Sequence, residues 1–156
     1  MSSFTFKPIG MKEFIRIWNT DVEDGLSDSH PELFEDTPKE EWEPIYNKQI
    51  KVVHEAVLDD LSVGYVFLSP KGNKIAHLGY GIYQDFRGKG HSIQMIDEFM
   101  KWKLPNLDEK IDEVFATTLE DNVISQKVLL KLGFKAYGVI DDEEFVYVRY
   151  VKKIYD

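Results

Sequence analysis

Between Gly79 and Ser92 the chain reads Gly-Tyr-Gly-Ile-Tyr-Gln-Asp-Phe-Arg-Gly-Lys-Gly-His-Ser. A strand-like run gives way to a turn in which Gly88 and Gly90 alternate with Arg87 and Lys89, and a helix start follows. Glycines at such a junction let backbone N–H groups converge with no Cβ in the way. The helix N-terminus contributes about half a positive charge. Arg87 and Lys89 add mobile charge, so the chemistry on offer is capture of a pyrophosphate. Taken alone, Arg-Gly-Lys-Gly also suits an exposed turn. The P-loop spacing is missing, and Gly88-x-Gly90 lacks the third glycine of a dinucleotide fingerprint.

A second junction follows. Leu119-Glu120-Asp121-Asn122-Val123-Ile124-Ser125 reads as a strand end passing into a helix capped by Asp121-Asn122. Lys131-Leu132-Gly133-Phe134 closes that helix, with Gly133 as a left-handed residue after the last turn.

The elements that must position these junctions follow from periodicity and turn residues. Phe4 to Lys7 alternates as a strand that Pro8 is expected to close. Met11, Phe14, Ile15 and Trp18 fall at helical spacing, predicting a helix to about Asn19. Thr37 as N-cap, Pro38 at the first position and Glu40 as the capping-box partner predict a second helix through Gln49. Three β-like runs follow, Ile50 to Leu58, Leu61 to Leu68 and Lys74 to Tyr83, with turns short enough for an antiparallel meander. Ser92 to Leu104 is a helix stopped by Pro105. Ile111 to Thr118, Phe134 to Val139 and Phe145 to Ile154 complete the strands. No repeat, low-complexity tract or linker is visible, so residues 1–156 read as one α+β domain.

Composition narrows the classes. The chain has 156 residues, is 43% hydrophobic, and has no cysteine, which excludes disulfides, a thiolate metal site and a thiol nucleophile. The N-terminus lacks the layout of a secretory signal, and no apolar run approaches the ~18 residues of a membrane span. A cytoplasmic protein is expected. The net charge of -9 makes nucleic acid a poor partner. Between Asp21 and Glu43 the acidic residues face Lys39 alone. This is either a solvated face or a funnel for a cationic substrate. His30 and His54 show no metal-ligand spacing, and no metal is expected.

The two junctions together resemble the GNAT superfamily of N-acetyltransferases. Its signature is Gln/Arg-x-x-Gly-x-Gly/Ala after the fourth strand and Asn-x-x-Ala/Ser with Leu-Gly-Phe along the fourth helix. Arg87, Gly90 and Ser92 occupy the first pattern, while Asn122, Ser125 and Leu132-Gly133-Phe134 occupy the second. The order of elements matches over essentially the whole chain. Ala76 to Gly90 is most similar to the branch that acetylates ribosomal-protein N-termini (the Rim type).

The resemblance implies a mixed seven-stranded sheet with about four helices and with strands 4 and 5 splayed around acetyl-CoA. It implies direct attack of a primary amine on the thioester. The acceptor would be a small cationic amine or a peptide or protein N-terminus. Cofactor contacts would come from Ile82, Tyr83, Gln84, Arg87, Gly88, Lys89, Gly90, His91, Ser92, Asn122 and Ser125, with N–H groups near Ile82 facing the oxyanion. Dimerisation is compatible with the fold.

Four positions depart from the pattern. Ser92 stands where glycine or alanine is usual. Leu129 occupies the place of a tyrosine that protonates the leaving thiolate. His77 stands where the Rim-type branch often has glutamate, and Tyr137 replaces another frequent glutamate. Proton transfer is therefore shared among candidates. His77 is a base in the right range, or else a packed strand histidine. Glu120 and its neighbour Asp121 are bases acting through water, or charges of a helix start. Ser125, Tyr137 and Tyr80 are hydroxyl donors. A non-catalytic CoA-binding module on the same fold is the alternative.

Overall fold

The computed structural model describes residues 2–23, 38–50, 52–141, 143 and 146–154. In chain order the elements are β1 (Thr5–Ile9), α1 (Met11–Glu23), α2 (Trp42–Gln49), β2 (Val53–Leu58), β3 (Leu61–Gly72) and β4 (Ile75–Ile82). Then come α3 (His91–Lys103), β5 (Glu113–Leu119), α4 (Val123–Lys131), β6 (Lys135–Asp141) and β7 (Val146–Lys153). This is the expected α+β GNAT architecture, a mixed seven-stranded sheet with four helices. Among the described residues no helix is long and apolar enough to cross a membrane.

Three prolines correct the boundaries read from sequence. β1 runs through Pro8, which pairs with His54, instead of ending there. β1 is the outermost strand, where a missing N–H costs no ladder bond. β3 likewise continues through Pro70 to Gly72, because β2 pairs with β3 only as far as Val66. The turn falls instead on Asn73-Lys74, both at positive φ, as are Asp59-Asp60 between β2 and β3.

The third correction concerns α2. Thr37 lies outside the described residues, Pro38 is extended, a 3₁₀ turn covers Lys39–Glu41, and the α-helix begins at Trp42. Pro44 explains the late start. In a helix begun at Pro38 it would sit in the interior and remove a backbone bond, whereas here it lies in the first turn, where the N–H has no helical partner. Ile50, read as the start of a strand, instead closes this helix and donates its N–H to Tyr46 O at 2.9 Å.

The strand order is β1-β2-β3-β4-β5-β7-β6. β4 and β5 are parallel and all other neighbours antiparallel. The parallel pair is short, covering Ile75–His77 against Glu113–Phe115. Beyond His77 the two strands part, and a gap opens in the middle of the sheet.

Each face of the sheet has its own core. α3 and α4 cover one face over Leu78, Met95, Phe99, Val114, Leu129 and Phe134. α1 and α2 cover the other over Phe14, Trp18, Tyr46, Tyr65 and Phe67. His54 is buried on the α3 side against Phe99 and Trp102, and its Nδ1 has no hydrogen-bond partner among the described residues. Burial, aided by the charge of Lys103, pushes its pKa down to about 4, so it is a neutral core residue.

Candidate active site

β4 carries a glycine on either side of Tyr80, and both glycines face the α1/α2 side. A Cβ on Gly79 would lie 2.1 Å from the Phe67 ring, and one on Gly81 would lie 2.6 Å from the Tyr65 ring. The two aromatic rings of β3 thus lie flat over β4. Tyr80 points the opposite way, and its hydroxyl meets Ser125 Oγ at 2.5 Å. A phenol from β4 and a serine from α4 thereby close across the splayed gap.

Ser125 is held twice. Asn122 Oδ1 accepts the Ser125 N–H at 3.1 Å as the N-cap of α4, the role expected for it. At the other end of α4, Gly133 takes φ 94°. The N–H groups of Gly133 and Phe134 bond Leu130 O and Leu129 O, a Schellman closure. Lys152 Nζ adds a bond to Leu132 O at 2.7 Å. Leu129 is fully buried in the α3/α4 core.

Past β4 the chain makes a 3₁₀ turn over Gln84–Phe86. It then enters α3 through Gly88 at φ 76° and Gly90 at φ 78°. Nothing lies within 4 Å of a Cβ built at either glycine, so backbone conformation, not crowding, selects glycine here. Gly90 is the N-cap of α3. Arg87 Nε donates to Ile82 O at 3.0 Å, which folds the guanidinium stem back over the end of β4. The antiparallel ladder alternates, and Tyr83 N–H goes to Val63 O on the β3 side. The N–H of Ile82 is therefore directed at the gap.

These parts surround a cavity of about 240 Å³. Its lining joins Ile82, Arg87, Gly88, Gly90, His91, Ser92, Asn122 and Ser125, all expected at a cofactor site, with Tyr80. Phe86, Ile93, Ile124, Val128, Gly81 and Tyr65 complete it and were not foreseen. Tyr65 belongs to the α1/α2 face and reaches the cavity over Gly81, so the cavity passes through the sheet. The signal for Tyr65 is a register, Tyr65 opposite Gly81, which only the folded chain supplies.

The remaining expected residues are not among those that line the cavity. Gln84 is exposed, and Lys89 sits 5.8 Å from the Phe86 ring centroid. Tyr83 turns to the α1/α2 side, where its hydroxyl donates to Glu55 Oε2 at 2.9 Å, and Ser62 donates to the other oxygen at 2.7 Å. His77 stands at the closed end of the gap, stacked on Phe115 at 4.8 Å and edge-on to Phe67 at 5.8 Å. Glu120 is exposed at the end of β5, its carbonyl accepting Gln126 Nε2 at 2.8 Å. Tyr137 is 79% exposed on β6. Among the described residues no group of three histidine or acidic side chains gathers to hold a metal.

A narrow slot lined by amides, hydroxyls and apolar side chains, with a cationic glycine turn at one mouth, fits a long ligand with an anionic head and a slender uncharged tail. Comparison with known proteins agrees. Residues 15–135 match the model of the acetyltransferase (GNAT) domain. Spermidine N-acetyltransferase from Vibrio cholerae, solved with CoA and spermine, superposes with a TM-score of 0.73 at 13% identity, covering 97% of this chain and 95% of that one. Ribosomal-protein-alanine N-acetyltransferase from Brucella melitensis gives 0.70 at 17% identity, covering 96% and 99%. The microcin C7 self-immunity acetyltransferase MccE, solved with acetyl-CoA and AMP, gives 0.67 at 19% identity, covering 97% and 93%. The chain belongs to the GNAT acetyltransferase family.

Proposed function

We propose that residues 1–156 form a single N-acetyltransferase domain that carries an acetyl group from acetyl-CoA to a primary amine by direct attack in a ternary complex. The observation that supports this best is the Tyr80–Ser125 hydroxyl pair, lying in the splayed gap below the glycine turn. The residues present fit the co-substrate. Gly88 and Gly90 leave their surroundings open at the head of α3, and Arg87 is exposed beside them, as pyrophosphate capture requires. The pantetheine arm would follow β4 through the gap, and the Ile82 N–H would face the thioester oxygen.

In this reading the amine nitrogen attacks the acetyl carbon, the carbon–sulfur bond breaks, and an amide is left. The sulfur takes a proton from the Tyr80–Ser125 pair, which regains one from solvent. This pair supplies the role left vacant by Leu129. The proton lost by the amine goes to water on the α1/α2 side, with His77 at the closed end of the gap and Glu120 at its open end as the bases. Tyr137, exposed on β6, would act only through a bound acceptor.

The acceptor is a small amine or a peptide or protein N-terminus, and a cytoplasmic setting goes with either. The Rim-type look stays part of this reading, although the fold neighbours acetylate acceptors as different as spermidine and ribosomal protein. The acidic segment that suggested a cationic acceptor lies largely in residues 24–37, outside the described residues, as do 142, 144 and 145 of the last turn.

The test is release of CoA thiol from acetyl-CoA across an amine panel. Acceleration by at least one amine, reduced in Tyr80→Phe and Ser125→Ala, is the expected result. Calorimetric binding of CoA with no acceleration by any amine would instead establish the non-catalytic CoA-binding module.

A further inference from the structure

The α1/α2 face of the gap carries one cation with no polar partner among the described residues. Arg149 lies on β7 in register with Thr117 of β5, two residues beyond Phe115 and thus where β4 and β5 have parted. Its guanidinium carbon stacks 3.9 Å from the Phe115 ring centroid, and Phe115 stacks in turn on His77. The residue is partly buried. Its guanidinium makes no hydrogen bond or ion pair among the described residues, in a chain whose net charge is -9. Its neighbours on the adjoining strands are small: Thr117 on one side and Gly138 on the other, where an added Cβ would meet nothing within 4 Å. A guanidinium with one face on a ring keeps its edge N–H donors for an in-plane anion, and that geometry suits a carboxylate.

Cofactor enters from the α3/α4 side, so the acceptor must arrive over the opposite face, where Tyr65 reaches the cavity. An amine reaching into the gap from there passes the edge of Arg149. We infer that Arg149 binds a carboxylate of the acceptor, and that the preferred substrates are amines bearing a carboxylate, such as free amino acids. The inference rests on the acetyltransferase reading and adds the substrate class to it. It replaces a purely cationic acceptor by a zwitterionic one.

The test compares L-amino acids and ω-amino acids, each beside the amine left by removing its carboxylate, for example L-phenylalanine beside phenethylamine. The wild-type protein should favour the carboxylate-bearing partner in at least one pair. Arg149→Met should lower that preference about 10- to 100-fold, through KM more than kcat, and Arg149→Lys should restore part of it because charge returns without the planar fork. No preference in the wild type for any carboxylate, or a preference that survives Arg149→Met, overturns the inference. If no amine of either kind is acetylated, acetyl transfer itself falls. Calorimetry of the CoA-loaded protein with N-acetyl-L-phenylalanine then still decides the site. Binding that disappears in Arg149→Met upholds it, and binding that is absent or indifferent to Arg149 sinks it.

Discussion

The two faces of the gap are built by different means. On the α3/α4 side much of the proposed cofactor site is backbone: left-handed glycines, a helix start and the strand amide of Ile82. Among the described residues, the polar side chains lining it there are Arg87, His91, Ser92, Asn122 and the Tyr80–Ser125 pair. On the α1/α2 side the proposed acceptor face is built of side chains brought from separate strands, with Tyr65 and Phe67 from β3, His77 from β4, Phe115 from β5 and Arg149 from β7. A ligand with a constant head and arm can be read by backbone, whose geometry a few glycines determine. An acceptor that differs between enzymes needs a surface whose residues can be exchanged one at a time.

Breaking the cofactor side should cost most. If Tyr80 and Ser125 act as one proton source, Tyr80→Phe and Ser125→Ala should each lower kcat about 100-fold, and the double variant little more. Multiplying losses in single-turnover rates would separate the two hydroxyls and break that assignment. Gly64→Ala tests the seam between the faces. A Cβ there would lie 2.1 Å from Gly81 O, so the β3–β4 approach must open, and a stability loss of about 3 kcal/mol is expected in urea unfolding.

Acid should weaken the α3/α4 core through His54. With a folded pKa near 4, the unfolded chain takes up a proton at its ordinary 6.5 that the folded chain refuses. Stability is therefore retained above pH 6.5, falls by about 3 kcal/mol towards pH 4, and then levels off. His54→Phe should flatten that part of the curve; an unchanged slope would show that another group is responsible. A smaller effect, about 10-fold weaker CoA binding by calorimetry, is expected for Arg87→Ala. Gly133→Ala should cost about 1 kcal/mol in thermal unfolding, because alanine resists its positive φ.

The same contrast explains what could be read before folding. Arg87, Gly90, Asn122, Ser125 and Gly133 sit in local motifs, where cap and turn chemistry is written in consecutive residues, and with the order of elements they made the fold legible. β1 runs through Pro8 and β3 runs past Leu68 through Pro70, because the open side of a strand is a property of the sheet and not of its residues. The cap-like Thr37-Pro38 reads as a helix start, but Pro44 allows the α-helix only from Trp42 onward. Tyr65 and Arg149 were invisible, since their meaning depends on Gly81 and Phe115 lying across from or beside them. Tyr80 was named as a hydroxyl but could not be paired with Ser125, which is distant in sequence.

The bare flanks of Tyr80 have a wider consequence. Because Gly79 and Gly81 carry no side chains, the stretch of β4 that flanks the proposed proton donor offers no wall on the α1/α2 side; Phe67 and Tyr65 of β3 cover it there across the seam. Donor and wall can therefore drift separately. Replacing Tyr65 by a smaller ring or an aliphatic would widen the cavity on the proposed acceptor side while the Tyr80–Ser125 pair stays as it is. This makes β3 the place where directed evolution of acceptor choice should begin.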